Sequence, residues 1–163
     1  MLSKTMLDEM NLQIKLELDS AYLYLAMAAH FESANLSGFA TWMKMQAGEE
    51  QEHALKFYSH IHDRGGKVVL QAIDQPAADY GTPLQVFQQV LKHEEGVTAR
   101  IHHMYAVAQK ENDYASQVFL SWFVDEQVEE EKNATEIVEK LKMIGDSTNG
   151  LFMIDSKVGK RSE

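Results

Sequence analysis

Polar side chains recur at fixed intervals on faces of this chain that would otherwise be apolar. The interval from Glu17 to Glu50 equals the interval from Glu94 to Gln127. The longer interval from Glu17 to Glu94 likewise equals that from His53 to Glu130. Around these positions apolar residues return every three or four residues, which is typical of the buried side of an amphipathic helix. The spacing predicts two helical hairpins with corresponding polar positions, related by a pseudo-two-fold axis.

Glu50 and His53 lie three residues apart in a helical pattern, so their side chains share one face. Met43, Phe57 and Ile61 belong to the same face and are apolar. A charge that points into such an interior must be paired or neutralised, because burying it alone costs several kcal/mol. A bound metal ion satisfies a carboxylate and an imidazole together. The pair therefore predicts a metal site.

The helical pattern covers most of the chain and breaks at few places. Four long helices and one short C-terminal helix are predicted at about residues 5–33, 38–64, 83–110, 113–144 and 147–156. Ser37 is the expected N-cap of the second helix, and Thr82 followed by Pro83 is a strong start for the third. Asn112 and Asp113 mark a turn and cap before the fourth. Residues 1–163 are predicted to form one all-α domain.

Segment 66–82 is too long for a tight turn and contains Pro76 and Gly81. We interpret it as a crossover that runs along the bundle. Loops that are short, long and short make the second and third helices parallel. The predicted fold is a four-helix bundle with one long crossover and a short fifth helix.

Composition excludes several classes of partner. The formal net charge of −10 argues against nucleic acid, which needs a basic surface. With no cysteine, the chain cannot form a disulfide, an Fe–S cluster or a thiolate metal site. No apolar run is long enough to span a membrane, and the start lacks the apolar core of a signal peptide, so a cytoplasmic protein is expected. A second apolar set on the first helix indicates contact between subunits; it comprises Leu12, Leu16, Leu23 and Met27.

The matched positions bring mostly carboxylates and one imidazole to the middle of the bundle. Hard oxygen donors with one imidazole suit iron or manganese better than copper or structural zinc. The number of carboxylates is enough to bridge two metal ions. A single glutamate of this kind is more often a solvated charge, but matched spacing in both halves argues against that interpretation for the whole set.

In these residues the chain resembles the bacterial non-haem ferritins over essentially its whole length. The resemblance implies an iron-storage protein with ferroxidase activity. Such a protein oxidises Fe(II) to Fe(III) with O2 or H2O2 and stores it as a ferric mineral inside a homo-oligomeric shell of 24 subunits. It also implies two irons in each ferroxidase centre and a third iron position nearby.

The resemblance also implies the ligands of the two-iron centre. Glu17, Glu50 and His53 match the ligands of the first iron. Glu50 matches a bridge to the second iron, whose other ligands correspond to Glu94 and Glu130.

Further positions match residues around that centre. Tyr24 corresponds to a tyrosine beside it, and Gln127 stands close by; with Glu50, these two are the expected catalytic residues. Glu49, Glu126 and Glu129 match the ligands of the third iron position.

Two departures from related families narrow the expectation. Haem-containing bacterioferritins carry a methionine just after the bridging glutamate, where this chain has Gln51, so no haem is expected. Their second half ends in Glu-x-x-His, whereas here Gln127 and Glu130 occupy those positions. This favours an asymmetric centre that passes iron on. A di-iron oxygenase or radical-generating subunit, and a non-catalytic helical protein with a polar core that sets helix register, remain alternatives.

Overall fold

In a computed structural model of the chain, which describes residues 1–160, five α-helices form and no strand is present among those residues. The helices are α1 (Lys4–Ser33), α2 (Ser37–Asp63), α3 (Pro83–Lys110), α4 (Tyr114–Ile144) and α5 (Thr148–Val158). Each bound lies within two residues of the expected one. The structure confirms the all-α class, the four-helix bundle and the short fifth helix.

Local sequence signals begin α3 and α4 as expected. The Thr82 hydroxyl accepts from the Gln85 amide, and the Gln85 side chain accepts from the Thr82 amide in return, with Pro83 at the first helical position. The Asp113 carboxylate accepts from the Ser116 amide at 3.2 Å at the start of α4. These caps satisfy amides that the first helical turn leaves unpaired.

The start of α2 corrects the prediction for Ser37. The N-cap is Leu36, which has no capping side chain, and Ser37 is the first helical residue. The Phe39 amide instead donates to Oδ1 of Asp155 in α5, at 2.8 Å. A Cβ on Gly38 would lie 1.8 Å from the Asp155 carbonyl oxygen, so only glycine lets α5 approach this closely. A distant helix therefore supplies the cap.

The crossover follows α1 along the bundle. The Val69 amide donates to the Asn11 side chain at 2.7 Å, and further along the Asp74 amide donates to the Asp19 carboxylate at 2.8 Å. The segment thus travels from the end where α2 stops to the end where α1 stops. α3 starts there and runs antiparallel to α1, which makes α2 and α3 parallel as predicted.

Two apolar clusters fill the bundle, one at each end. One is built around Phe31, Phe39 and Phe87, and the other around Phe57 and Phe123. A layer of buried polar residues separates them. No helix in residues 1–160 combines the length and apolar character needed to cross a bilayer.

Candidate metal centre

Each of the four long helices contributes one or two of the matched positions to the polar layer. All six matched positions are 5% exposed or less: Glu17, Glu50, His53, Glu94, Gln127 and Glu130. Burial of so many polar groups is costly unless they bind one another or a ligand. The structure therefore brings the predicted set into one buried layer.

Glu17, Glu50 and His53 form a compact group. One potential ligand atom from each lies within 4.8 Å of the others, and this is the only such group of three or more His, Asp or Glu among residues 1–160. His53 Nδ1 lies 3.3 Å from Glu50 Oε2. Oε2 of Glu17 and Oε2 of Glu50 are buried and accept no hydrogen bond from a neighbouring N–H group or hydroxyl; the two carboxyl groups interact with each other. Buried carboxylate oxygens that lack a donor fit a bound cation.

Electrostatics within the group favour a proton or a cation. Burial, followed by repulsion from Glu50, raises the pKa of the Glu17 carboxyl well above its usual range. Burial, followed by the negative charge of Glu94, raises the pKa of the Glu50 carboxyl in the same way. A metal ion that binds here displaces protons, so its affinity rises with pH.

Glu94 lies outside the compact group, although its charge reaches Glu50. The Tyr24 hydroxyl donates to Oε1 of Glu94, and Gln127 Nε2 donates to Oε2 at 3.2 Å. Burial and the Glu94 charge raise the pKa of the Tyr24 phenol, so the phenol keeps its proton and acts as a donor. Both Glu94 oxygens thus have donors, and ligation of a metal requires Glu94 to exchange one of them.

Glu130 also lies outside the compact group. Its Oε2 accepts from Gln46 Nε2 at 3.0 Å, and its charge contributes to the raised pKa of Glu50. Glu130 therefore faces the same interior as Glu50 without joining Glu17 and His53.

The residues expected at a third iron position are less buried than the others. Glu49 and Glu126 are half-buried, and Glu129 is exposed. Within residues 1–160, the ligand atoms of these three do not lie within 4.8 Å of one another, as those of Glu17, Glu50 and His53 do. They stay a prediction for a site nearer the surface.

Two buried glutamines were missed by the sequence reasoning. Gln13 Nε2 donates to Oε1 of Glu17 at 2.9 Å, and Gln46 holds Glu130 as described. A signal was present, because the interval from Gln13 to Gln46 equals that from Glu17 to Glu50, one helical turn further on. Gln13 and Gln46 thus form a further matched pair of the buried layer, and each orients a carboxylate.

The fold and the buried carboxylate–histidine group together define a ferritin-like four-helix bundle. A family model described as the ferritin-like domain matches residues 7–144. The chain belongs to the ferritin family, the iron-storage proteins that the sequence resemblance indicated.

Two bacterial ferritins and one archaeal ferritin are similar to this chain over nearly its whole length. A bacterial non-heme ferritin of Bacteroides fragilis is 44% identical over 161 residues, which span 99% of this chain and 100% of that protein. One from Staphylococcus aureus is 38% identical over 162 residues, covering 99% and 98%. An open pore ferritin of the hyperthermophilic archaeon Archaeoglobus fulgidus superposes with a TM-score of 0.98 at 43% identity, covering 99% and 100%. These relatives confirm the resemblance and do not favour the oxygenase alternative.

Proposed function

We propose that this protein binds Fe(II) at Glu17, Glu50 and His53, oxidises it to Fe(III), and stores the product as a ferric mineral. The observation that carries the proposal is the pair of buried, donor-free oxygens on Glu17 and Glu50 beside an imidazole. In a ferritin-family bundle this arrangement is an entry point for the iron that the protein stores.

Carboxylates make oxidation favourable because hard oxygen ligands stabilise Fe(III) more than Fe(II). Two Fe(II) ions give one electron each to O2, which takes up two protons and becomes H2O2. One H2O2 accepts two electrons from another pair of Fe(II) ions, takes up two protons, and becomes two water molecules. Protons displaced from Glu17 and Glu50 when iron binds are available for these steps.

A second iron of the same centre would use Glu50 as a bridge, with Glu94 and Glu130 as its other ligands. Glu94 is held by Tyr24 and Gln127, which can keep one of its oxygens while the other turns to the metal. Tyr24 then acts as a hydrogen-bond donor to a ligand or as a nearby source of one electron.

A third iron position at Glu49, Glu126 and Glu129 would lead product away from the centre. Burial decreases from Glu50 to the half-buried Glu49 and Glu126 and to the exposed Glu129. Weaker burial means weaker desolvation and easier release of a highly charged ion. This gradient supports a path outward to the mineral.

We further propose that 24 copies form a shell in the cytoplasm with no haem and no nucleic-acid partner. Near-complete coverage of the named ferritins supports a homo-oligomer. Gln51 cannot provide a thioether ligand, and the net charge of −10 opposes binding to phosphates.

Stopped-flow absorbance of Fe(II) oxidation tests the activity. Glu50→Ala removes the proposed bridge, and we expect the initial rate of oxidation to fall at least about ten-fold, in line with the loss of one metal ligand. Glu95→Ala removes an exposed carboxylate of α3 and is the matched control, with an unchanged rate expected. A folded Glu50→Ala protein that oxidises Fe(II) as fast as the wild type would refute the proposal.

A further inference from the structure

Arg100 on α3 reaches across to α1 beside the compact group. Its Nε donates to Oε1 of Gln13 at 3.2 Å, and its Nη2 donates to the Glu9 carbonyl oxygen at 3.0 Å. Nη1 forms an ion pair with the Glu9 carboxylate. The guanidinium is thus held at three points. One of its donors binds the Gln13 side-chain amide, which in turn contacts Glu17.

Those contacts decide which way the Gln13 amide faces. A guanidinium only donates hydrogen bonds, so the Gln13 oxygen must face Arg100 and the Gln13 nitrogen must face Glu17. Rotating the amide by half a turn would place an oxygen against the Glu17 carboxylate and an NH2 group against the guanidinium. Gln13 is fully buried, so water would not compensate for those two repulsive contacts.

The Gln13 amide makes the two oxygens of the Glu17 carboxylate unlike each other. Oε1 of Glu17 accepts from Gln13, whereas Oε2 is buried and accepts no hydrogen bond. We propose that Arg100 is a positioning residue which, through Gln13, occupies one oxygen of Glu17 and reserves the other for the metal ion. The proposal rests on the proposed function only in taking Fe(II) as that ion.

The contacts from Arg100 through Gln13 to Glu17 occur in only one half of the repeat. Val90 occupies the position in the second half that corresponds to Gln13, and it has no hydrogen-bonding side chain. Glu94, the counterpart of Glu17, is instead held by Tyr24 and Gln127. Arg100 therefore serves the iron position at Glu17, Glu50 and His53 and makes it unlike the second.

Arg100→Lys and Gln13→Leu are the informative variants. Lysine keeps the charge but lacks the planar fork of donors that holds Gln13 and Glu9 together. Leucine keeps much of the Gln13 volume but gives Glu17 no donor. Arg64→Lys is the matched control, because Arg64 pairs with Asp113 and has a side chain 20% exposed, against 19% for Arg100.

Zn(II) and Co(II) titrations of the metal-free assembled protein, by calorimetry and by Co(II) visible absorption, measure the site without oxidation. We expect Arg100→Lys and Gln13→Leu each to weaken the first bound ion about ten-fold and to change the Co(II) absorption bands. The double variant should bind the ion no more weakly than either single variant, because both changes break the same chain of contacts from Arg100 through Gln13 to Glu17. For Fe(II) oxidation, the half-saturating Fe(II) concentration should rise more than the maximal rate falls.

Several outcomes would overturn the proposal: wild-type Zn(II) affinity and Co(II) bands in Arg100→Lys, equal weakening in Arg64→Lys, or additive losses in the double variant. The Co(II) readout keeps this result separate from the proposed function. A wild-type protein that binds Co(II) tightly but oxidises no Fe(II) contradicts the ferroxidase proposal alone, and the comparison of variants still decides the role of Arg100.

Discussion

Glu17 and Glu50 place two carboxylates in the interior of one subunit, where each is 3% exposed or less. Burial and repulsion from nearby carboxylates raise the pKa of both groups, and the charge of His53 offsets this only in part for Glu17. Two carboxylates buried in this way weaken the metal-free fold. If they bind the proposed iron, the bound ion removes this penalty.

Glu50→Gln should stabilise the metal-free protein. A raised carboxyl pKa means that the folded state holds its proton more tightly than the unfolded state. Stability is thus lost as pH rises from the ordinary carboxyl range through the raised pKa, and the penalty is full above it. At about pH 8 we expect the variant to gain about 1 kcal/mol or more over the wild type.

Calorimetric melting of metal-free protein measures this effect. The gain should shrink as pH falls toward the ordinary carboxyl range, where the wild-type carboxyl is protonated in both states. Added Zn(II) should reverse the order, because only the wild type keeps the ligand. Glu95→Gln, which changes an exposed carboxylate, should melt like the wild type. Equal melting of Glu50→Gln and wild type at every pH would contradict the argument.

The six matched positions of the buried layer were predictable because repeated spacing on helical faces needs no knowledge of packing. The relay from Arg100 through Gln13 was not, because its members lie on different helices and 87 residues apart in sequence. A glutamine on an apolar face is uncharged, so the sequence does not indicate which group its side chain will bind. Only the antiparallel packing of α1 and α3 shows what its amide contacts.

At the scale of helices, local chemistry predicted those starts whose caps lie within three residues. Thr82 with Gln85 and Asp113 with Ser116 are such pairs. Ser37 failed because the first turn of α2 is capped by Asp155, 116 residues away. No local signal can identify a cap that a distant helix provides, so the capping residue was predicted where the cap is local and missed where it is tertiary.

Asp155→Ala should loosen both α2 and α5. The variant removes the acceptor for the Phe39 amide, and loss of a helix cap costs about 1 kcal/mol. We expect a lower melting temperature and faster hydrogen exchange in the first turn of α2. Asp155→Asn keeps an oxygen acceptor and should lie close to the wild type. Unchanged exchange in this turn for Asp155→Ala would show that the cap contributes no stability.

For the whole molecule, the outer side of α1 and the crossover form one surface rich in exposed apolar side chains. Hydrogen bonds from Asn11 and Asp19 hold the crossover against α1. The exposed residues are Leu12, Tyr22, Leu25, Val69, Leu70 and Ile73. Met27, which belonged to the second apolar set expected to contact other subunits, is instead buried within its own subunit. Adjacent exposed apolar groups of this size favour contact with another copy of the chain.

Leu25→Glu combined with Leu70→Glu should separate assembly from oxidation. Two carboxylates on this apolar surface would have to be buried between copies, and their desolvation opposes association. Size-exclusion chromatography with light scattering measures the mass of each particle. The wild type should have the mass of a shell of 24 chains of 18.5 kDa each, and the variant should be a much smaller species.

Iron loading of the two proteins should then diverge. Glu17, Glu50 and His53 lie within one subunit, so the variant should still oxidise Fe(II) at the initial rate of the wild type. Without a shell to enclose the mineral, Fe(III) should precipitate from the variant, whereas the wild type retains far more iron than its ligand sites alone can bind. Gln71→Glu adds the same kind of charge at an exposed polar position and should leave both mass and retention unchanged. A double variant that keeps the wild-type mass would show that copies associate through a different surface.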